Sequence, residues 1–217
     1  MIQDIWPKHL DNQYKNLKPG NEDTVFYFQG SSLLARPSGH FNSQNPEENV
    51  LIYPQYDEFV QGIKSSYGDK AVDNFEFIYL LSIDEEHFFL ARKTGSLERG
   101  TFLGEMADSA VHKDMYSFVR GYEFIGVDSF RKAQPREHAY AAITAFHLYG
   151  WYRDNHFCGR CGKPLKHDDK QRMLRCDCCK NMVFPKICPA VIVAVTDKDR
   201  ILLTKYAGRT YRNYALI

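Results

Sequence analysis

Short runs of aromatic and β-branched residues, set between turn formers, fill much of the first half of the chain. Thr24–Gln29 (TVFYFQ), Ser32–Ala35, Phe75–Ser82 (FEFIYLLS) and His87–Ala91 (HFFLA) have the composition of strands. Most are bounded by Gly, Asn, Asp or Ser, and Ile83–His87 reads as a hairpin connection although it has no glycine. The polar stretch Ser38–Asn49 reads as a loop. At Pro135 the pattern changes. Pro135 suits a first helical turn, and no further Gly or Pro follows until Gly150. Ala139, Ala142, Ile143, Phe146 and Tyr149 recur at three- and four-residue steps, which makes one helical face whose small alanines permit close packing on a sheet. Further on, Pro189–Val195 is an uninterrupted apolar run, followed by a polar turn and Ile201–Lys205. That pattern predicts a hairpin whose first strand is buried on both faces. The expected class is α+β: a β-rich domain over 1–133, a connecting helix over 134–155, a cysteine-bearing module over 156–186, and the opening strands of another domain over 187–217.

The cysteines carry the strongest chemical signal. All 6 lie between Cys158 and Cys188. Cys158-Gly-Arg-Cys161 is followed, after fourteen intervening residues, by Cys176-Asp-Cys-Cys179. Two residues between paired cysteines let a tight turn aim both sulfurs at one point, and Gly159 and Gly162 suit such turns. A hairpin can bring two such turns together into a closed four-thiolate site, a zinc ribbon. Four soft thiolates without redox context select zinc over hard cations, and a closed site leaves no position for substrate. Cys158, Cys161, Cys176 and Cys179 are therefore the expected ligands of one structural Zn²⁺. Cys178 could compete as a ligand, but only Cys176 and Cys179 keep the two-residue gap, so Cys178 reads as an exposed spare thiol. Cys188 reads as a small core residue at the entry of the buried strand.

Composition narrows the class. The chain has 217 residues, 44% of them hydrophobic, and a formal charge of +1. A near-neutral chain has no global pull toward nucleic acid or anionic membrane. Residues 153–186 are more basic, at +5 before metal and about +3 with a tetrathiolate zinc. That surface can attract a phosphate-bearing ligand or simply be solvated. No basic start and apolar run open the sequence, and the longest apolar stretch, Ala190–Val195, falls far short of a membrane span. Clustered cysteines without a secretory leader predict a soluble, cytoplasmic protein with reduced thiols.

The residues around the cysteines match a known pattern. Trp151-Tyr-Arg-Asp-Asn-His156-Phe-Cys-Gly-Arg-Cys-Gly162, then Met173-Leu-Arg-Cys176, Val183-Phe-Pro-Lys-Ile-Cys-Pro189, an apolar strand and Asp199-Arg-Ile-Leu-Leu203 resemble the NADH pyrophosphatase family of Nudix hydrolases. The resemblance is specific from about Glu137 to Ile217. It implies an N-terminal domain, a zinc ribbon and the start of a Nudix α/β/α domain over 187–217. It further implies hydrolysis of NAD(H) to nicotinamide mononucleotide and AMP with Mg²⁺ or Mn²⁺, removal of NAD caps from RNA, and a homodimer. Phe184 falls where the family places a Tyr beside the bound base, and Ile192 matches a pocket-lining aliphatic of the first Nudix strand. Each also has a plain structural reading, Phe184 as a ribbon core aromatic and Ile192 as an ordinary strand residue.

One departure matters. The catalytic carboxylates of the family come from the Nudix box, a Gly, a Glu, then Arg-Glu and Glu-Glu on one loop–helix–loop. No such spacing occurs between residues 1 and 217: Arg136-Glu137 runs into His-Ala-Tyr-Ala, and Glu85-Glu86 has no Arg-Glu ahead of it. The sequence therefore reads as a cut ahead of the box, and no catalytic residue is assigned. His138, His147 and His156, nine apart, cannot share a metal-binding helical face and read as ordinary histidines. The alternative function is a non-catalytic zinc-ribbon module that contacts RNA or protein through its basic surface.

Overall fold

A computed structural model describes residues 4–39, 49–94, 118–186 and 188–205, with the backbone of Tyr214–Ala215. Most of the stretch read as a loop, 40–48, lies outside the described residues. Contacts divide the chain into two units, Met1–Pro185 and Lys186–Ile217.

The first unit is built on a seven-stranded sheet ordered β1-β5-β6-β2-β3-β4, with β7 also pairing β3. Its strands are β1 (Leu10–Asp11), β2 (Thr24–Gln29), β3 (Ser32–Pro37), β4 (Leu51–Ile52), β5 (Phe75–Ile83), β6 (Glu86–Lys93) and β7 (Glu123–Gly126). Each pair is antiparallel except β2 with β6, which run parallel with Thr24 opposite Phe88. The hairpin turn between β5 and β6 needs no glycine, because Asp84 takes the left-handed conformation, with φ 52°.

Both faces of this sheet are covered, which is why β2 is apolar at consecutive positions. Phe26 and Phe28 point to a core that contains Phe88, Leu90 and Phe130. Val25 and Tyr27 point the other way, toward Tyr79, Phe89 and helix α1 (Tyr56–Tyr67). On the first face lies α2 (Arg136–Asp154), preceded by Pro135, as the sequence predicts. Ala139, Ala142 and Ala145 are fully buried, while Ile143, Phe146 and Tyr149 pack at the edge of the core. The buried surface extends to Ala141, Leu148, Trp151 and Tyr152, so the helix is covered over more of its circumference than one stripe.

α1 was not anticipated. Phe59, Val60 and Ile63 are its buried residues, and Gln55 and Glu58 form a capping box at its start. Gly62 lies inside it because a Cβ there would come within 2.7 Å of the Phe118 carbonyl oxygen.

In the second unit, β11 (Thr196–Asp197) pairs with β12 (Arg200–Ile201), and β13 (Thr204–Lys205) pairs with β14 (Tyr214–Ala215). The hairpin turn thus falls where expected, and the Leu202 N–H extends the ladder to the Val195 carbonyl at 2.9 Å. The buried strand does not form. Residues 189–195 lie outside any strand and are exposed, Ile192 by 80%. Cys188 is exposed too, not a core residue. A two-stranded ladder offers no second layer, so apolar composition alone cannot bury these residues.

Candidate metal centre

A second, three-stranded sheet within the first unit carries the cysteines, in the order β10 (Met182–Val183), β9 (Leu174–Cys176), β8 (Leu165–His167). Leu174 joins the α2-side core, with Leu165 and Val183 packed beside it, so the ribbon is seated on the domain and not strung from it.

Two turns of the same construction present the four sulfurs. In the first, the Cys158 N–H donates to the Lys163 carbonyl and the Gly162 N–H to the Cys158 carbonyl, both at 2.8 Å. In the second, the Cys176 N–H donates to Asn181 at 2.9 Å and the Lys180 N–H to Cys176 at 3.0 Å. Gly162 and Lys180 both have positive φ, 70° and 59°. The sulfurs of Cys158, Cys161, Cys176 and Cys179 lie within 4.8 Å of one another. Cys158 and Cys179 approach to 3.5 Å, and Cys161 and Cys176 to 3.4 Å. None is in a disulfide. Tetrahedral thiolates at about 2.3 Å from a zinc are separated by about 3.8 Å, so the cluster could hold a zinc ion with small adjustment.

The surroundings favour the thiolate at two of the four sulfurs. Burial alone would raise the Cys158 thiol, but N–H groups of Arg160 and Cys161, together with hydrogen bonds from the Cys179 and Cys161 thiols, outweigh it and bring its pKa down to about 6. Cys176 is lowered chiefly by the Cys179 N–H. Their close partners, Cys161 and Cys179, are raised, because four sulfurs this near cannot all ionise without a cation among them. The Asn181 side-chain amide donates to the Cys158 sulfur at 3.6 Å, a supporting contact that cysteine spacing does not disclose. Cys178 is exposed and lies outside the cluster.

None of the other predicted positions belongs to the cysteine cluster. Phe184 follows β10 and is 48% exposed, which makes it no ribbon core residue. Ile192 belongs to the second unit. His138 hydrogen-bonds Glu86 at 2.8 Å, His147 is exposed, and burial lowers the pKa of His156. Among the described residues the four cysteines are the one group with metal-ligand geometry, and no carboxylate cluster suited to Mg²⁺ or Mn²⁺ occurs. No described helix is long and apolar enough to cross a membrane.

Fold and centre together give an α+β protein with a four-cysteine cluster compatible with a zinc ribbon. No family model matches the chain. Curated relatives do. The chain is 38% identical over 55 residues to the NAD-capped RNA hydrolase NudC of Pseudomonas aeruginosa, covering 25% of this chain and 20% of that protein. It is 36% identical over 59 residues to the enzyme of that name from Salmonella typhi, covering 27% and 23%. For that of Pseudomonas putida the values are 40% over 55 residues, 25% and 20%. The chain thus spans about a fifth of the length of the curated relatives it matches. Over that stretch the similarity supports a relationship to the NADH pyrophosphatase family of Nudix hydrolases, at partial coverage.

Proposed function

We propose that residues 1–217 supply the N-terminal domain (1–133), connecting helix (134–155), structural zinc ribbon (156–186) and opening Nudix strands (187–217) of a hydrolase that cleaves the pyrophosphate of NAD(H) and of NAD-capped RNA. The observation that carries this reading is the convergence of four thiols in a chain whose relatives bear the name NAD-capped RNA hydrolase. The zinc, held by Cys158, Cys161, Cys176 and Cys179, has no open position and fixes the ribbon without doing chemistry. Mg²⁺ or Mn²⁺ would neutralise the diphosphate and activate water. The described residues do not fit that second metal, and no catalytic step is assigned to them. Phe184, half-exposed, is available to stack on a base, and Ile192 would line the pocket. The exposed apolar residues at Val191–Val195 and Ile201–Leu203 favour self-association as a homodimer. The site of action is cytoplasmic.

The test has two arms. Residues 1–217 with Mg²⁺ or Mn²⁺ should release no AMP from NADH, and turnover that survives further purification contradicts this. The gene downstream of codon 217 should encode a Nudix box, and the protein with that continuation should form AMP and nicotinamide mononucleotide. A second reading, a non-catalytic ribbon that binds RNA or protein, draws on the exposed Phe157, Met182 and Phe184. It prevails if no box follows.

A further inference from the structure

Away from the cysteines, a cavity of about 390 Å³ opens inside the first unit. Its lining has a telling order. Glu76, Phe77, Ile78 and Tyr79 are four consecutive residues of β5, and Leu165, Lys166 and His167 are the whole of β8. Successive side chains of a strand point to opposite faces, so consecutive residues border one cavity only along a strand's edge. The cavity is therefore a slot between two sheet edges, closed on a further side by Tyr14, Asn16 and Leu17.

Among the described residues, the β5 edge is unpaired along this stretch. β1 pairs with it only at Ser82 and Ile83. Among the described residues, no backbone hydrogen bond outside the β5–β6 ladder reaches residues 76–79. Arg172 of the ribbon donates to the Leu80 carbonyl at the end of the slot, and at 3.3 Å to that of Asn12. β8 is the outer strand of its sheet, and there the Leu165 N–H is already taken by the His156 carbonyl at 2.9 Å, so β5 is the edge that is left to bind.

The lining side chains, by contrast, mostly satisfy each other. Arg92 pairs with Glu76 at 2.6 Å, and Lys166 with Asp177 at 2.6 Å. His167 sits between the hydroxyls of Tyr152 at 2.7 Å and Tyr14 at 3.5 Å. Asp169 alone keeps a charge without an ion pair among the described residues. Walls so nearly neutralised attract neither a phosphate nor a metal ion. What they leave unmet is the buried Tyr79 hydroxyl and, along the strand edge, the amide and carbonyl pattern of β5.

We propose that this slot binds an extended, uncharged peptide segment of about four residues from a partner protein, by strand addition to β5. Four residues of β5 span about 13 Å, the length of such a segment. The partner's backbone supplies the hydrogen bonds. This function is independent of hydrolysis and of the Nudix reading.

The test uses the isotope-labelled, zinc-loaded chain, titrated with acetyl-Thr-Val-Thr-Val-Thr-amide while its amide resonances are followed. Shifts should centre on residues 76–79 and 165–167. The same peptide with every backbone amide methylated should bind at least tenfold more weakly. Asn16→Trp, which places a large ring in the slot from a segment without secondary structure, should weaken the parent peptide equally. No shift at millimolar peptide, shifts centred elsewhere, or equal binding of the methylated peptide would overturn the proposal. The methylated peptide decides the matter on the unaltered chain should Asn16→Trp disturb folding.

Discussion

Gly162 and Lys180 hold the same place in the two cysteine turns: each has a left-handed backbone, and each donates its N–H to the carbonyl of the cysteine four residues before it. Glycine takes that conformation without cost, whereas a residue with a Cβ is strained there. Lys180→Gly should therefore stabilise the chain by about 0.5 to 1 kcal/mol, the relief of strain less the added chain entropy of glycine. Gly162→Ala should destabilise it by about 1 to 2 kcal/mol, although open space surrounds the new Cβ. Urea unfolding of both variants checks the pair of opposite signs.

Metal removal should act on folding before anything else. Cys161→Ser or Cys176→Ser leaves three sulfurs, and binding energy at such a site is folding energy. Both variants should lose metal and the hydrogen-exchange protection of Leu174–Cys176. Cys178→Ser should keep both, since that thiol lies outside the cluster. Metal analysis alongside hydrogen exchange distinguishes the cases.

The alanine face of α2 gives a packing prediction. Ala142 has no exposed surface, and its neighbours belong to the same core as Phe28 and Leu80. Ala142→Leu should cost about 1 to 3 kcal/mol by overpacking. A surface control, His147→Ala, should change stability by less than about 0.5 kcal/mol. Thermal unfolding reads both.

Much of this packing is legible in sequence, and the failures share a cause. β2 and α2 appear where aromatic runs and three- and four-residue steps place them, because both bury their apolar residues within one unit. The cysteine spacing gives the ligand cluster because two short turns determine it locally. α1 has the helical spacing Tyr56, Phe59, Val60, Ile63, but Gly62 and two serines mask it, and the reason for Gly62 lies in a contact with distant Phe118. The parallel pairing of β2 with β6 joins residues some sixty apart, which no local pattern encodes. For Pro189–Val195 the sequence states a hydrophobic composition but not what would cover it, and in this structure these residues are exposed.

His167 should make stability depend on pH. Burial, above all, lowers its pKa, so below about pH 6.5 the unfolded chain takes up a proton that the folded chain refuses. Stability should therefore fall as pH drops from about 6.5 toward the lower folded value. Carboxylates such as Asp168, lowered chiefly by the Lys170 N–H, act only nearer pH 4. His167→Gln should flatten the slope below about pH 6.5, measured by urea unfolding at matched zinc. An unchanged slope would show that His167 titrates normally in the fold.

The central claim is a four-thiolate zinc site, and X-ray absorption at the zinc edge tests it most directly. One zinc per chain, surrounded by four sulfurs at about 2.3 Å, is the predicted result. A nitrogen or oxygen ligand in the shell, or a folded chain without metal when prepared without chelator, would contradict it.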